Sequence, residues 1–149
     1  MPEFSITSSD FKEREEIPKK FGYNFENKEP ELDFDNTPEN SQSLALIMDD
    51  PDAMGAVGKV WVHWLVFGSI GFSPKFPNAN LRINGKTDFG EIGYGGPAPP
   101  DKRHTYVFKV YALDTTTLDL KEGYSKQELE EAMQGHIIAE AKLTGTFAP

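Results

Sequence analysis

Cysteine is absent from the 149 residues. That excludes a disulfide-stapled scaffold, thiolate zinc or iron–sulfur ligation, and a cysteine nucleophile. No apolar run reaches the ~18 residues that a membrane-spanning helix needs. The opening Met1-Pro2-Glu3-Phe4 lacks the charged-then-apolar pattern of a secretory signal, so the cytoplasm is the expected location. Positive charge is scarce, with 15 basic residues against 24 acidic ones and a net charge of −9. A surface of that sign repels phosphate backbones and anionic leaflets at long range, which argues against nucleic-acid or membrane-surface partners. Small basic pockets stay open to such a chain. Internal repeats and low-complexity tracts are also missing. The length suits one domain, since domains most often run to roughly 100–150 residues, and residues 1–149 are read as a single unit.

What is abundant is punctuation: 13 glycines and 11 prolines cluster between apolar runs, as in a protein of short strands and turns. Phe4–Ser8 alternates apolar and polar residues and reads as a half-buried strand. Residues 10–42 are polar and turn-rich, with one short strand expected around Pro30–Phe34. Ser43–Met48 is a buried strand that stops at Asp49-Asp50-Pro51-Asp52, because proline cannot donate to a ladder. Val60–Phe67 is bulky on both faces, as in a strand between two layers. Gly68–Asp88 and Gly90–Pro100 read as loop, and His104–Leu113 as strand. Ser125 and Glu128 form a capping-box pattern ahead of a helix at 126–134. Residues 137–144 alternate and read as a final strand. The expected fold is mainly β, an antiparallel sandwich of Greek-key type with one or two short helices, one of them near the C-terminus.

Only three histidines are present. Period-two alternation places His63 on a face with Trp61, Leu65 and Phe67, and His104 on a face with Tyr106. His136 follows a helix-stopping glycine and reads as a cap. Two imidazoles, the first acid of Asp50-Pro51-Asp52, a phenol and a glycine-rich loop all lie on strands or strand ends. A glycine loop allows close backbone approach, and its amides can face an anion. Imidazolium adds donors and positive charge, while an aspartate beside a histidine raises its pKa and fixes its ring. Together these would hold a small phosphate or carboxylate.

Asp50-Pro51-Asp52-Ala53, Trp61-Val62-His63-Trp64, Gly93–Pro100 and His104-Thr105-Tyr106 resemble, in order, the signature segments of the phosphatidylethanolamine-binding protein family. The likeness is greatest to its bacterial and archaeal branch of Raf-kinase-inhibitor-like proteins. The stretches Ala132–Ala141 and Thr144–Phe147 also resemble that branch. The resemblance implies a pocket for phosphate-like anions or phosphoethanolamine head groups. Its ligand-binding residues would be Asp50, Trp61, His63, Gly95, Gly96, Pro99, His104 and Tyr106, with Asp52 bracing the loop. It implies no cofactor and no metal, and it links such modules to inhibition of kinases or proteases; a homodimer is left open. Three residues depart from the family pattern. Met54 replaces a proline, Ala98 a frequent cysteine, and Thr105 an arginine whose loss removes a positive charge near the site.

The leading expectation is a non-enzymatic binding protein, because no nucleophile–base pair or nucleophile elbow is visible. The alternative is a metal-dependent enzyme using two histidines and one carboxylate. A third reading is an interaction domain with an idle pocket, in which Trp61, Phe76 and Tyr94 serve a partner surface.

Overall fold

The computed structural model describes residues 3–69 and 82–149; Phe76, one of the residues assigned above to a partner surface, lies outside them. The chain runs β1 (Ser5–Thr7), a 3-10 turn at Lys19–Phe21, β2 (Asp33–Asp35), β3 (Ser43–Asp50), α1 (Ala53–Val57), β4 (Trp61–Ser69), β5 (Arg82–Asn84), β6 (His104–Leu113), α2 (Lys126–Met133) and β7 (Ile137–Phe147). The fold is mainly β, with few helices and one of them near the C-terminus. β1 and β2 form an antiparallel ribbon, and the other five strands form an antiparallel sheet in the order β5-β4-β3-β6-β7.

Both faces of the large sheet are covered, which explains why β3 at its centre is buried along its whole length. On one face Leu44, Leu46, Met48, Trp64, Val66, Tyr106 and Phe108 pack with Ile6, Ile17, Phe21 and Leu32 from the N-terminal segment. On the other, Ala45, Ile47, Leu65 and Phe67 meet Tyr124 and, from α2, Leu129 and Met133. The capping box is present: the Glu128 amide donates to Ser125 Oγ at 3.1 Å, and the Ser125 amide donates to Glu128 Oε1 at 3.0 Å. β3 ends where Pro51 interrupts it. α1 and β5 are additions that the sequence did not signal, β5 falling inside the stretch expected to be loop.

One expectation is corrected. Met48 pairs with Trp64 but Asp49 pairs with Val62, so β4 carries an extra residue, His63, at a bulge. Trp64 and Val66 therefore face the ribbon side, while Val62, Leu65 and Phe67 face α2. His63 does not share a face with Leu65 and Phe67. Its ring instead lies edge-on to Tyr106 at 5.1 Å. Bulges re-aim single side chains in this way, and alternation in a sequence cannot reveal them.

Candidate functional site

Asp49 and Asp50, adjacent on β3, point to opposite sides of the sheet. Asp49 Oδ2 pairs with Lys126 Nζ of α2 at 3.0 Å. Asp50 Oδ2 instead accepts from His104 Nδ1 at 2.6 Å, both groups being buried. The other nitrogen of that ring, Nε2, donates to Asp101 Oδ1 at 2.7 Å. Both ring nitrogens of His104 are thus engaged by carboxylates. Burial alone would lower the pKa of this imidazole, but the bonds to Asp50 and Asp101 outweigh it and hold the pKa above its ordinary value. The same bond, from His104, lowers the pKa of Asp101.

His63 is held differently. Its Nδ1 donates to the Gly95 carbonyl at 2.7 Å, and the Gly95 amide donates back to the His63 carbonyl at 2.8 Å. Because a carbonyl only accepts, Nδ1 carries the proton, and in the neutral ring Nε2 is an acceptor. Burial pushes the His63 pKa down against weaker opposing contributions from Gly95, Asp50, Gly96 and Asp49, so the neutral ring dominates near pH 7.

Around these groups is a cavity of about 110 Å³ lined by Asp50, His63 and His104, by Ala53, Ala56 and Val57 of α1, and by Trp61, Phe89, Ala98 and Pro100. Pockets for drug-sized ligands run to roughly 300–1,000 Å³, so this one is small. Its polar base lies among apolar walls. Phe89 stands edge-on to both Trp61 and His63, and stacks on Tyr23 at 3.9 Å. Met54 and Val57 on α1 are exposed large apolar residues, and Val57 belongs to the lining.

Gly95, Gly96, Pro99 and Tyr106, also proposed from sequence, stand outside that lining. Gly95 has no room for a side chain, since a Cβ would lie 2.5 Å from the Phe89 ring. Gly96 is packed against the backbone of residues 21–23, and its amide donates to Asn27 Oδ1 at 2.8 Å. Pro99 is buried. The Tyr106 hydroxyl is near Asp50 and the backbone of Ala98, and burial, followed by the Asp50 charge, raises its pKa so that it stays a neutral phenol. Asp52 Oδ2 accepts from the Thr105 amide at 2.8 Å and so braces the start of β6. Sequence reasoning missed Phe89, the α1 residues, Asn27 and Asp101. Only Asp101, three residues before His104, carried a readable signal.

Among the buried side-chain polar atoms with no hydrogen-bond partner in the described residues, Asp50 Oδ1, Trp61 Nε1 and Tyr106 Oη belong to this site. Among the described residues, no group of three or more histidine, aspartate or glutamate side chains has an arrangement that could hold a metal ion. With His104 engaged at both nitrogens, the two-histidine-one-carboxylate enzyme has no support. Among the described residues no helix is long and apolar enough to cross a membrane.

The profile of a family described as phosphatidylethanolamine-binding protein matches residues 7–148. A UPF0098 protein of Methanothermobacter thermautotrophicus is 43% identical over 145 residues, covering 92% of this chain and 93% of the relative. A UPF0098 protein of Chlamydia trachomatis is 40% identical over 149 residues, covering 95% and 97%. A crystal structure of a phosphatidylethanolamine-binding protein homologue from Chlamydia trachomatis superposes with a TM-score of 0.86 at 38% identity, covering 98% of this chain and 97% of that one. E. coli YbcL, described as a member of the mammalian family, gives 0.86 at 29% identity, with 98% of each chain covered.

Proposed function

The chain belongs to the phosphatidylethanolamine-binding protein family, and from that premise we propose that it is a non-enzymatic binding protein whose cavity takes a small phosphate-like anion, free or as part of a head group. The observation that carries this reading is the set of unpartnered buried polar atoms, Asp50 Oδ1, Trp61 Nε1 and Tyr106 Oη, on side chains that line or adjoin one cavity. Buried polar groups left unsatisfied cost about 1–3 kcal/mol each, so their convergence favours a polar occupant. The His104 imidazolium contributes positive charge at the base. Absence of catalysis is supported by the partners of the two histidines, which are a carbonyl and two carboxylates and no hydroxyl nucleophile.

Titration with inorganic phosphate or phosphoethanolamine, watched through the His63 and His104 ring signals by NMR, tests this reading. Both rings should shift. If neither responds at millimolar ligand, the cavity is not an anion receptor. Regulation of a kinase or protease through the surface beside the cavity is the finer form of the same reading, and the exposed Met54 and Val57 on α1 support it.

A further inference from the structure

Resting on the anion reading, the hydrogen-bond inventory of the cavity narrows its occupant. Asp50 uses Oδ2 on His104, and its Oδ1 is buried with no partner. As a carboxylate oxygen, Oδ1 can only accept. His63 Nδ1 is committed to the Gly95 carbonyl, and among the described residues Nε2 makes no hydrogen bond, so it also accepts. Among the described residues, the lining donor still free is Trp61 Nε1; the Tyr106 hydroxyl adjoins the cavity beside Asp50. His104 offers none, since both its nitrogens already serve carboxylates.

A fully deprotonated anion carries acceptors alone. It would satisfy the indole of Trp61, yet set its own lone pairs against Asp50 Oδ1 and His63 Nε2. A ligand that brings one O–H or N–H turns the first of those contacts into a charge-assisted bond, which is among the strongest kinds. We infer that the cavity selects a phosphoryl group carrying its own hydrogen-bond donor, such as dihydrogen phosphate or a protonated phosphate monoester, over anions that have none. The surrounding charges support this preference. Asp101 and Asp52 add negative potential from the adjoining loops, Asp49 behind Asp50 is paired with Lys126, and among the described residues His104 is the cation in direct contact with the Asp50 carboxylate. Lys59, 5.8 Å from the Trp61 ring centroid, is paired with Asp88.

The test compares inorganic phosphate, methyl phosphate, dimethyl phosphate and sulfate at pH 6 and constant ionic strength, with dissociation constants read from His63 ring shifts. A monoester has its second pKa near ~6 and still carries a P–OH there; dimethyl phosphate and sulfate have none. Phosphate and methyl phosphate should bind on the order of 10–100-fold more tightly than the other two. Glycerophosphoethanolamine separates the sources of the donor. It should match dimethyl phosphate if the P–OH is required, and match phosphate if its ammonium can substitute, as in a lipid head group. Asp50→Asn, which supplies an amide donor, should narrow the phosphate–sulfate gap. Equal affinity for sulfate and phosphate in the unmodified protein overturns this inference while leaving the anion reading intact. Failure of all the ligands to bind at millimolar concentration overturns both.

Discussion

Gly96 is the residue whose enlargement should do most harm for least chemistry. A Cβ built there would lie 2.0 Å from the Phe21 carbonyl oxygen, 2.9 Å from the Tyr23 nitrogen and 3.0 Å from the Gly22 carbonyl carbon. Ordinary contact begins near 3.4 Å, so the two segments would have to part by more than an ångström. All three obstacles are backbone, and no rotamer change relieves them. The same junction is stitched by hydrogen bonds: Tyr23 N to Pro97 O at 3.0 Å, Gly96 N to Asn27 Oδ1 at 2.8 Å, and Tyr94 Oη to Phe21 O at 2.8 Å. Overpacking costs about 1–3 kcal/mol, and each hydrogen bond lost about 0.5–1.5. With two of them broken, Gly96→Ala should destabilise by roughly 3–5 kcal/mol, or about 10–15 °C in melting temperature for a domain of this size. Gly55→Ala in α1 is the matched control. A Cβ at that position would have nothing within 4 Å, and alanine is favoured over glycine in a helix by about 0.5–1 kcal/mol. Urea and thermal unfolding followed by circular dichroism measure both. If Gly96→Ala unfolds with the unmodified protein, or if the two variants behave alike, the packing of the glycine loop against residues 21–23 is refuted.

The two site histidines should shape stability on opposite sides of pH ~6.5, the ordinary imidazole value. His104 has a raised folded pKa, so its contribution is whole below ~6.5 and is lost as pH rises through that higher value. His63 has a lowered one, so stability falls as pH drops from ~6.5 towards it, because the unfolded chain takes up the proton first. Urea midpoints should therefore peak near neutrality, with His104→Gln flattening the alkaline limb; a midpoint still climbing from pH 6.5 to 8.5 contradicts the His104 assignment. Asp101→Asn removes one of the two carboxylates on His104, so the ring should titrate at lower pH by NMR, and an unchanged titration means the Nε2 bond does not form in solution.

Much of the fold was legible because its signals are local. Pro51 ends β3, Ser125 and Glu128 begin α2, and the alternation of His104, Tyr106 and Phe108 fixes which face of β6 meets the core. Three elements went unread in the sequence, and two of them depend on distant partners. The 3-10 turn at Lys19–Phe21 exists against the loop at 94–97, and β5 exists against β4. α1 is a five-residue helix with no side-chain cap, and nothing in its sequence announces it. The resemblance named Asp50, His63 and His104 as one group, and the structure places all three on one cavity. It could not say which nitrogen or oxygen of each is free, because that depends on Gly95 and Asp101.

The bulge at His63 connects fold to site. In an unbroken strand one face of β4 would carry Trp61, His63 and Leu65 together, and the imidazole would be directed at α2 with Leu65 and Phe67. The extra residue lets Val62 keep its place in the α2-side core while Trp64 and Val66 join the ribbon-side core. His63 is then released from either regular position. Its backbone carbonyl and its ring nitrogen both reach Gly95, and its ring meets Tyr106 from β6 and Phe89 from the loop before the glycines. Asp88 secures the neighbouring turn, its carboxylate accepting from the Val62 amide at 2.7 Å and its own amide donating to the Val62 carbonyl at 3.0 Å. The irregularity thus has partners on both sides, as expected where a bulge re-aims a side chain. It also explains why the glycine loop is bound to this strand rather than to any other: the bulged residue offers an outward carbonyl and a ring donor, and a residue without a Cβ is needed to meet both beneath the Phe89 ring.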